Sequence, residues 1–199
     1  VKNAESASQF HNFALVFTSK HRHGTDFPTC IIHRNNMIEH FMEQTEFSSY
    51  EDFMSNFKVN VPKDFNFGYD VIDRYAAEQP EKDALVWVND RGAKEYVTYR
   101  GLKNISDQCA AFLQGIGVKR GDRVMLILKR RLEWWYTMLA LHKLGAVAIP
   151  ATHMLTDKDI IYRCHMAGIS CIVACGDPIV VNHVQKARRY CPTIRHCIS

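Results

Sequence analysis

A chain of 199 residues can hold one well-cored domain and a short appendage, and is too short for two full domains. Its formal net charge of +4 is spread along the chain in doublets such as Lys119-Arg120, Arg130-Arg131 and Arg188-Arg189, which argues against the gathered basic patch of a nucleic-acid binder. No stretch approaches the ~20 apolar residues that span a bilayer. The seven cysteines, several inside apolar runs, read as buried thiols of a reducing compartment, which predicts a cytoplasmic protein.

In chain order, residues 1–40 show no sustained periodicity and begin with Val, so they are expected to be an unstructured or non-native leader, with residues 41–199 as the domain. Ser48 and Glu51 are spaced as a capping box, and Tyr50, Phe53, Met54 and Phe57 then recur at helical intervals. Asn66 is placed to cap a second helix carrying Val71, Ile72, Tyr75 and Ala76 on one face, with Pro80 beyond its end. Ala84 to Val88 and Glu95 to Tyr99, around Asn89-Asp90-Arg91-Gly92, predict a hairpin.

From Thr98 the chain alternates. A helix through Leu102, Ile105, Cys109, Phe112 and Leu113 is followed by a continuously apolar strand, Val124 to Leu128. Leu132 to Leu144 predicts a helix with Gly145 past its end, then a short strand to Pro150. Thr156 and Asp159 open a helix to Ala167, Cys171 to Ala174 is a strand, Asp177-Pro178 start another helix, and Ile194 to Ile198 starts a final strand. Strand and helix in units of this length predict an α/β fold: a partial doubly wound parallel sheet with helices on both faces.

Three segments, in this order and separation, resemble the adenylate-forming (AMP-binding) ligases. They are Thr98-Tyr99-Arg100-Gly101-Leu102, the turn Gly117-Val118-Lys119-Arg120-Gly121-Asp122-Arg123-Val124, and Lys143-Leu144-Gly145-Ala146-Val147-Ala148-Ile149-Pro150. Glu133-Trp134-Trp135 and Asp159-Ile160-Ile161-Tyr162-Arg163 are similar to the medium-chain acyl-CoA synthetases within that family.

The resemblance implies an incomplete N-terminal lobe of such a ligase. The whole enzyme would use ATP, Mg2+ and CoA to convert a medium-chain, branched or aromatic carboxylic acid to acyl-CoA, AMP and pyrophosphate. The family's Ser/Thr/Gly-rich phosphate loop ending in Lys has no counterpart among these 199 residues. The chain is therefore expected to be inactive alone and to bind none of these cofactors tightly, and no catalytic or metal-binding residue is carried over. By the same resemblance Thr152, His153 and Met154 correspond to a loop near CoA in some relatives; the other reading is a loop that caps the sheet.

Cys164, His165, Cys171 and Cys175 include no CxxC pair, and the cysteines read as buried thiols rather than metal ligands. His142 and Lys143 suit the negative end of their helix dipole. Of Trp134 and Trp135, at least one is expected in the core and the other at a rim. Two other readings stay open: a stand-alone α/β binding or interaction module without catalysis, and a decayed gene product.

Overall fold

The computed structural model describes residues 40–199, so the leader assigned to 1–40 lies, except for His40, outside the described residues. The first helix is α1 (Tyr50–Asn56). Its cap is Ser49, whose hydroxyl accepts from the Asp52 amide, while Ser48 donates its own amide and hydroxyl to the Asp52 carboxylate. The start thus lies one residue beyond the expected Ser48–Glu51 pair.

Asn66 is the expected cap, accepting from the Gly68 amide, yet the first turns after it, Phe67–Asp73, wind as a π-helix before α2 (Arg74–Glu78). The wider turn brings Gly68 against Lys143, where a Cβ would meet the lysine Cγ at 2.8 Å. β1 (Asp83–Val88) and β2 (Lys94–Thr98) pair antiparallel as the expected hairpin.

α3 (Tyr99–Gly115), β3 (Arg123–Ile127), α4 (Leu132–Leu144), β4 (Val147–Pro150), α5 (Asp157–Ala167), β5 (Cys171–Ala174), α6 (Pro178–Arg188) and β6 (His196–Ile198) follow. Four of the strands form one parallel sheet in the order β4-β3-β5-β6. The run Val124–Ile127 is continuously apolar because β3 is covered on both faces, and its side chains are at most 1% exposed.

Alternation splits that strand between two cores. Val124 and Leu126 pack with Ala110 and Leu113 of α3 and Ala140 and Leu141 of α4. Met125 and Ile127 pack with Ile160 and Cys164 of α5 and with Val180, Val184 and Ala187 of α6. The chain runs from β3 outward to β4, then crosses back over β3 to β5. A right-handed crossover that reverses direction has to change face, and α4 and α5 lie on opposite faces accordingly. A third, smaller core of Ile72, Val97, Leu102, Leu132 and Leu139 attaches the hairpin and the π-helical segment to α3 and α4.

The segments that carried the resemblance hold the amino ends of the strands together. Gly121 donates its amide to the Gly145 carbonyl at 2.9 Å, and Gly145 adopts the left-handed φ of 65° that ends α4. Asp122 accepts from the Lys119 amide at 3.0 Å and from the Arg195 guanidinium at 2.5 Å. Burial pushes the Asp122 carboxyl up, but these two donors more than offset it and hold it below the usual carboxylate range. Arg123 donates to the Gly168 carbonyl at the end of α5 through both Nε and Nη2, at 3.1 and 2.9 Å.

Lys143 differs from the expectation of a lysine placed for the helix dipole. Its side chain is 1% exposed and its Nζ donates to Asp73 and to Asp107. Beside it, the Asn66 amide donates to the His142 carbonyl at 2.7 Å, while His142 Nδ1 is buried without a hydrogen-bond partner. Burial lowers the pKa of that imidazole. Among the described residues, no helix is long and apolar enough to cross a membrane.

Candidate functional site

In an open α/β sheet, ligands enter at the carboxyl ends of the strands, where the strand order switches direction. Here that point lies between β3 and β5. Three loops meet at this rim: 128–131 after β3, 151–156 after β4, and Cys175 to Asp177 after β5.

The switch point is spanned by an ion pair. Lys129 Nζ lies 2.6 Å from Asp177 Oδ2. Lys129 adopts φ 54°, the left-handed conformation that a side chain with a Cβ disfavours. Asp177 also caps α6, accepting from the Ile179 amide at 2.9 Å, with Pro178 in the first turn. The lysine and the amide at the helix start together hold its carboxyl below the usual range.

The start of α5 is likewise closed from within. Thr156 and Asp159 form the expected capping box, and the Thr156 hydroxyl and amide keep the Asp159 carboxyl low. Asp157 donates its amide to His183 Nδ1 at 3.1 Å and sets its carboxylate 3.0 Å from the same nitrogen, tying α5 to α6. A triphosphate requires free amides converging on it together with cationic side chains. The first amides of α5 and α6 are engaged by their own caps, so these two helix starts are closed from within.

Thr152, His153 and Met154 form an exposed turn on this rim. The Thr152 hydroxyl accepts from the Met154 amide at 3.3 Å, Met154 is 75% exposed, and only the next residue, Leu155, reaches the core. None of the three lines either of the two hollows beside the hairpin.

The concave surface lies on the β3 side of the rim, beside the hairpin. One hollow of about 420 Å³ is bounded by Trp87, Glu95, Arg131, Leu132, Glu133 and Tyr136. A neighbouring one of about 240 Å³ shares Trp87 and Arg131 with it and adds Lys129, Arg130, Trp134 and Trp135. Trp87 fixes the wall between hairpin and loop, its indole donating to the Arg130 carbonyl at 2.8 Å.

Trp134 and Trp135 are both half-buried and meet edge to face at 4.8 Å; Trp134 leans on the core shared by α3 and α4. Reading the sequence placed Trp134, Trp135 and the Arg130-Arg131 doublet locally but did not bring Trp87 to them. The only signal was that tryptophan is scarce, with three in the chain.

Five thiols, Cys164, Cys171, Cys175, Cys191 and Cys197, are packed in or against the sheet. Burial pushes Cys164 up to about 12 and Cys171 up to about 11. Thiols held neutral in this way behave as small hydrophobes. Among the described residues, no group of three or more His, Cys, Asp or Glu is placed to hold a metal ion.

The profile of the AMP-binding enzyme family matches residues 72–199. The chain belongs to the AMP-binding enzyme family.

Within that family it is 38% identical over 133 residues to human acyl-coenzyme A synthetase ACSM3, mitochondrial, a match covering 64% of this chain and 23% of that protein. It is 37% identical over 141 residues to rat (Rattus norvegicus) acyl-coenzyme A synthetase ACSM4, mitochondrial, covering 68% of this chain and 24% of the relative. The chain thus spans about a quarter of the length of the curated relatives it matches.

Two solved structures share the fold at 22% identity. The fatty acyl CoA synthetase of Mycobacterium tuberculosis superposes with a TM-score of 0.59 over 67% of this chain and 26% of that one. Acetoacetyl-CoA synthetase from Streptomyces lividans superposes with a TM-score of 0.61 over 67% of this chain and 22% of that one. The family match, residues 72–199, takes in the alternating sheet-and-helix part of the molecule.

Proposed function

We propose that residues 41–199 form the opening part of the adenylate-forming lobe of an ATP-dependent acyl-CoA synthetase, with 1–40 outside that lobe. The whole enzyme would join a carboxylic acid of the medium-chain, branched or aromatic class to CoA through an acyl-adenylate, using ATP and Mg2+. The observation that carries this reading is the 35–38% identity to acyl-coenzyme A synthetases over 133 to 144 residues.

The part these residues play is architectural, with one contact surface. They supply the sheet whose carboxyl rim faces the reacting groups, and the exposed turn Thr152-His153-Met154 is the segment proposed to touch CoA. Triphosphate binding and proton transfer then belong to segments outside this stretch, consistent with the self-capped starts of α5 and α6.

The free thiols buried in the sheet suit a reducing compartment, and we propose the cytosol; the relatives named above are mitochondrial, and imaging of the tagged protein in its source cells separates the two.

Carboxylate-dependent exchange of pyrophosphate into ATP tests the reading. The 199-residue chain is expected to give no exchange above a heat-inactivated control, and a protein extended to the length of the relatives to give it with medium-chain or aromatic acids. Exchange by the short chain would place the active site within these residues; no exchange by the extended protein with any carboxylic acid would overturn the assignment.

A further inference from the structure

All three tryptophans of the chain line the hollow of about 240 Å³ at the end of β3, together with the consecutive cations Lys129, Arg130 and Arg131. We propose that this hollow is a binding site for a flat aromatic anion, a ring bearing one carboxylate or phosphate group.

Several features converge there. The walls offer indole faces and edges, which suit a planar ring. No acid lines the hollow. Lys129 is already neutralised by Asp177, whereas Arg131 is exposed and, among the described residues, has no carboxylate within bonding distance. Arg131 thus presents a guanidinium whose fork matches a carboxylate or phosphate.

Arg131 is also the N-cap of α4, and no side chain closes that helix start, in contrast to α5 and α6. The Trp134 amide is bonded to the Arg131 carbonyl at 3.2 Å and Glu133 lies in the first turn, so the positive potential at this site comes from the side-chain cations rather than from the helix start. The left-handed Lys129 is the only residue other than glycine with positive φ among the described residues, and strain of this kind gathers at ligand sites.

The small volume limits the ligand to a single ring system, with an affinity on the order of 1 mM for a fragment-sized probe. The proposal does not depend on the ligase reading: the hollow is separate from the 152–154 turn, and its test uses no ATP or CoA.

Because every tryptophan lies at this site, intrinsic fluorescence and the indole N–H resonances of the full chain report on it alone. Phenylacetate, phenyl phosphate and the neutral analogue benzyl alcohol are titrated against wild type, Arg131→Gln and Arg131→Lys, with circular dichroism confirming the fold of each variant. The proposal expects saturable shifts with the two anions and none at equal concentration with benzyl alcohol. It expects binding weakened about fivefold or more in Arg131→Gln and partly restored in Arg131→Lys. Preference for phenyl phosphate would assign a phosphorylated ligand, and preference for phenylacetate a carboxylate. Equal response to benzyl alcohol, an absence of saturation, or unchanged affinity in Arg131→Gln would each overturn it.

Discussion

Lys143 Nζ lies 2.7 Å from Asp73 Oδ1, a bond joining residues 70 positions apart, and the same nitrogen lies 2.5 Å from Asp107 Oδ1. One buried cation thus ties α4 to the π-helical segment and to α3. Burial pushes the Asp107 carboxyl up, but hydrogen bonds from Lys103 and Lys143 more than offset it, so it titrates below the usual carboxylate range.

Lys143→Met removes the 2.7 Å bond from Asp73 and leaves it only Lys103, at 4.0 Å. Its destabilisation is expected at about 2 kcal/mol, below the range for fully buried pairs because Asp107 is half-exposed and keeps Lys103. Urea unfolding measures it, and adding Asp73→Asn should recover part of the loss. A variant as stable as wild type would show that the cluster contributes nothing net.

His142 makes a second prediction, through pH. Its folded pKa is lowered by burial, so the unfolded chain takes up the proton first as pH falls. Stability should therefore be full above the unfolded value of about 6.5 and decline as pH drops through the window below it. The urea midpoint of wild type should fall between pH 7.5 and pH 5.5, and that of His142→Phe should fall less. Asp107 and Asp122, whose pKa values are lowered, add a separate loss that begins only below about pH 4.

Lys129 combines an unfavourable backbone with a favourable ion pair. Lys129→Ala keeps the left-handed φ of 54° and loses the bond to Asp177, whereas Lys129→Gly loses the same bond and relieves the backbone. The glycine variant is expected to be the more stable of the two by about 1 kcal/mol. Calorimetric Tm values decide it; equal values would mean that the loop relaxes to another conformation.

Gly145 ends α4 at φ 65°, and a Cβ there would also meet Arg120 Cγ at 3.1 Å. Gly145→Ala should cost about 1–2 kcal/mol, and Gly145→Asn less, since Asn tolerates the left-handed region better. The comparison is read from denaturant midpoints at constant m-value.

The alternating part of the fold was legible because its signals are local. The apolar run of β3, the cap and first-turn proline of α6 and the glycines after α4 and α5 each lie within a few residues of what they determine. The start of α1 slipped by one residue because Ser48-Ser49 and Glu51-Asp52 offer two equally spaced pairs, and only the folded chain selects Ser49 with Asp52. The role of Lys143 was hidden because its partners are 70 and 36 positions away. The tryptophan-lined hollow was hidden for the same reason, since Trp87 meets the Arg130 carbonyl across 43 positions through a hairpin that packs on α4.

β3 is the strand that both faces share: it ladders with β4 on one side and β5 on the other, and its side chains feed two separate cores. Neither layer of helices can detach without exposing half of its side chains to water, so its amides open only when the whole sheet does. α1, which buries none of its residues, can come and go without disturbing that strand. Among the described residues, the amides of β3 are thus expected to exchange far more slowly than those of the aromatic helix before it.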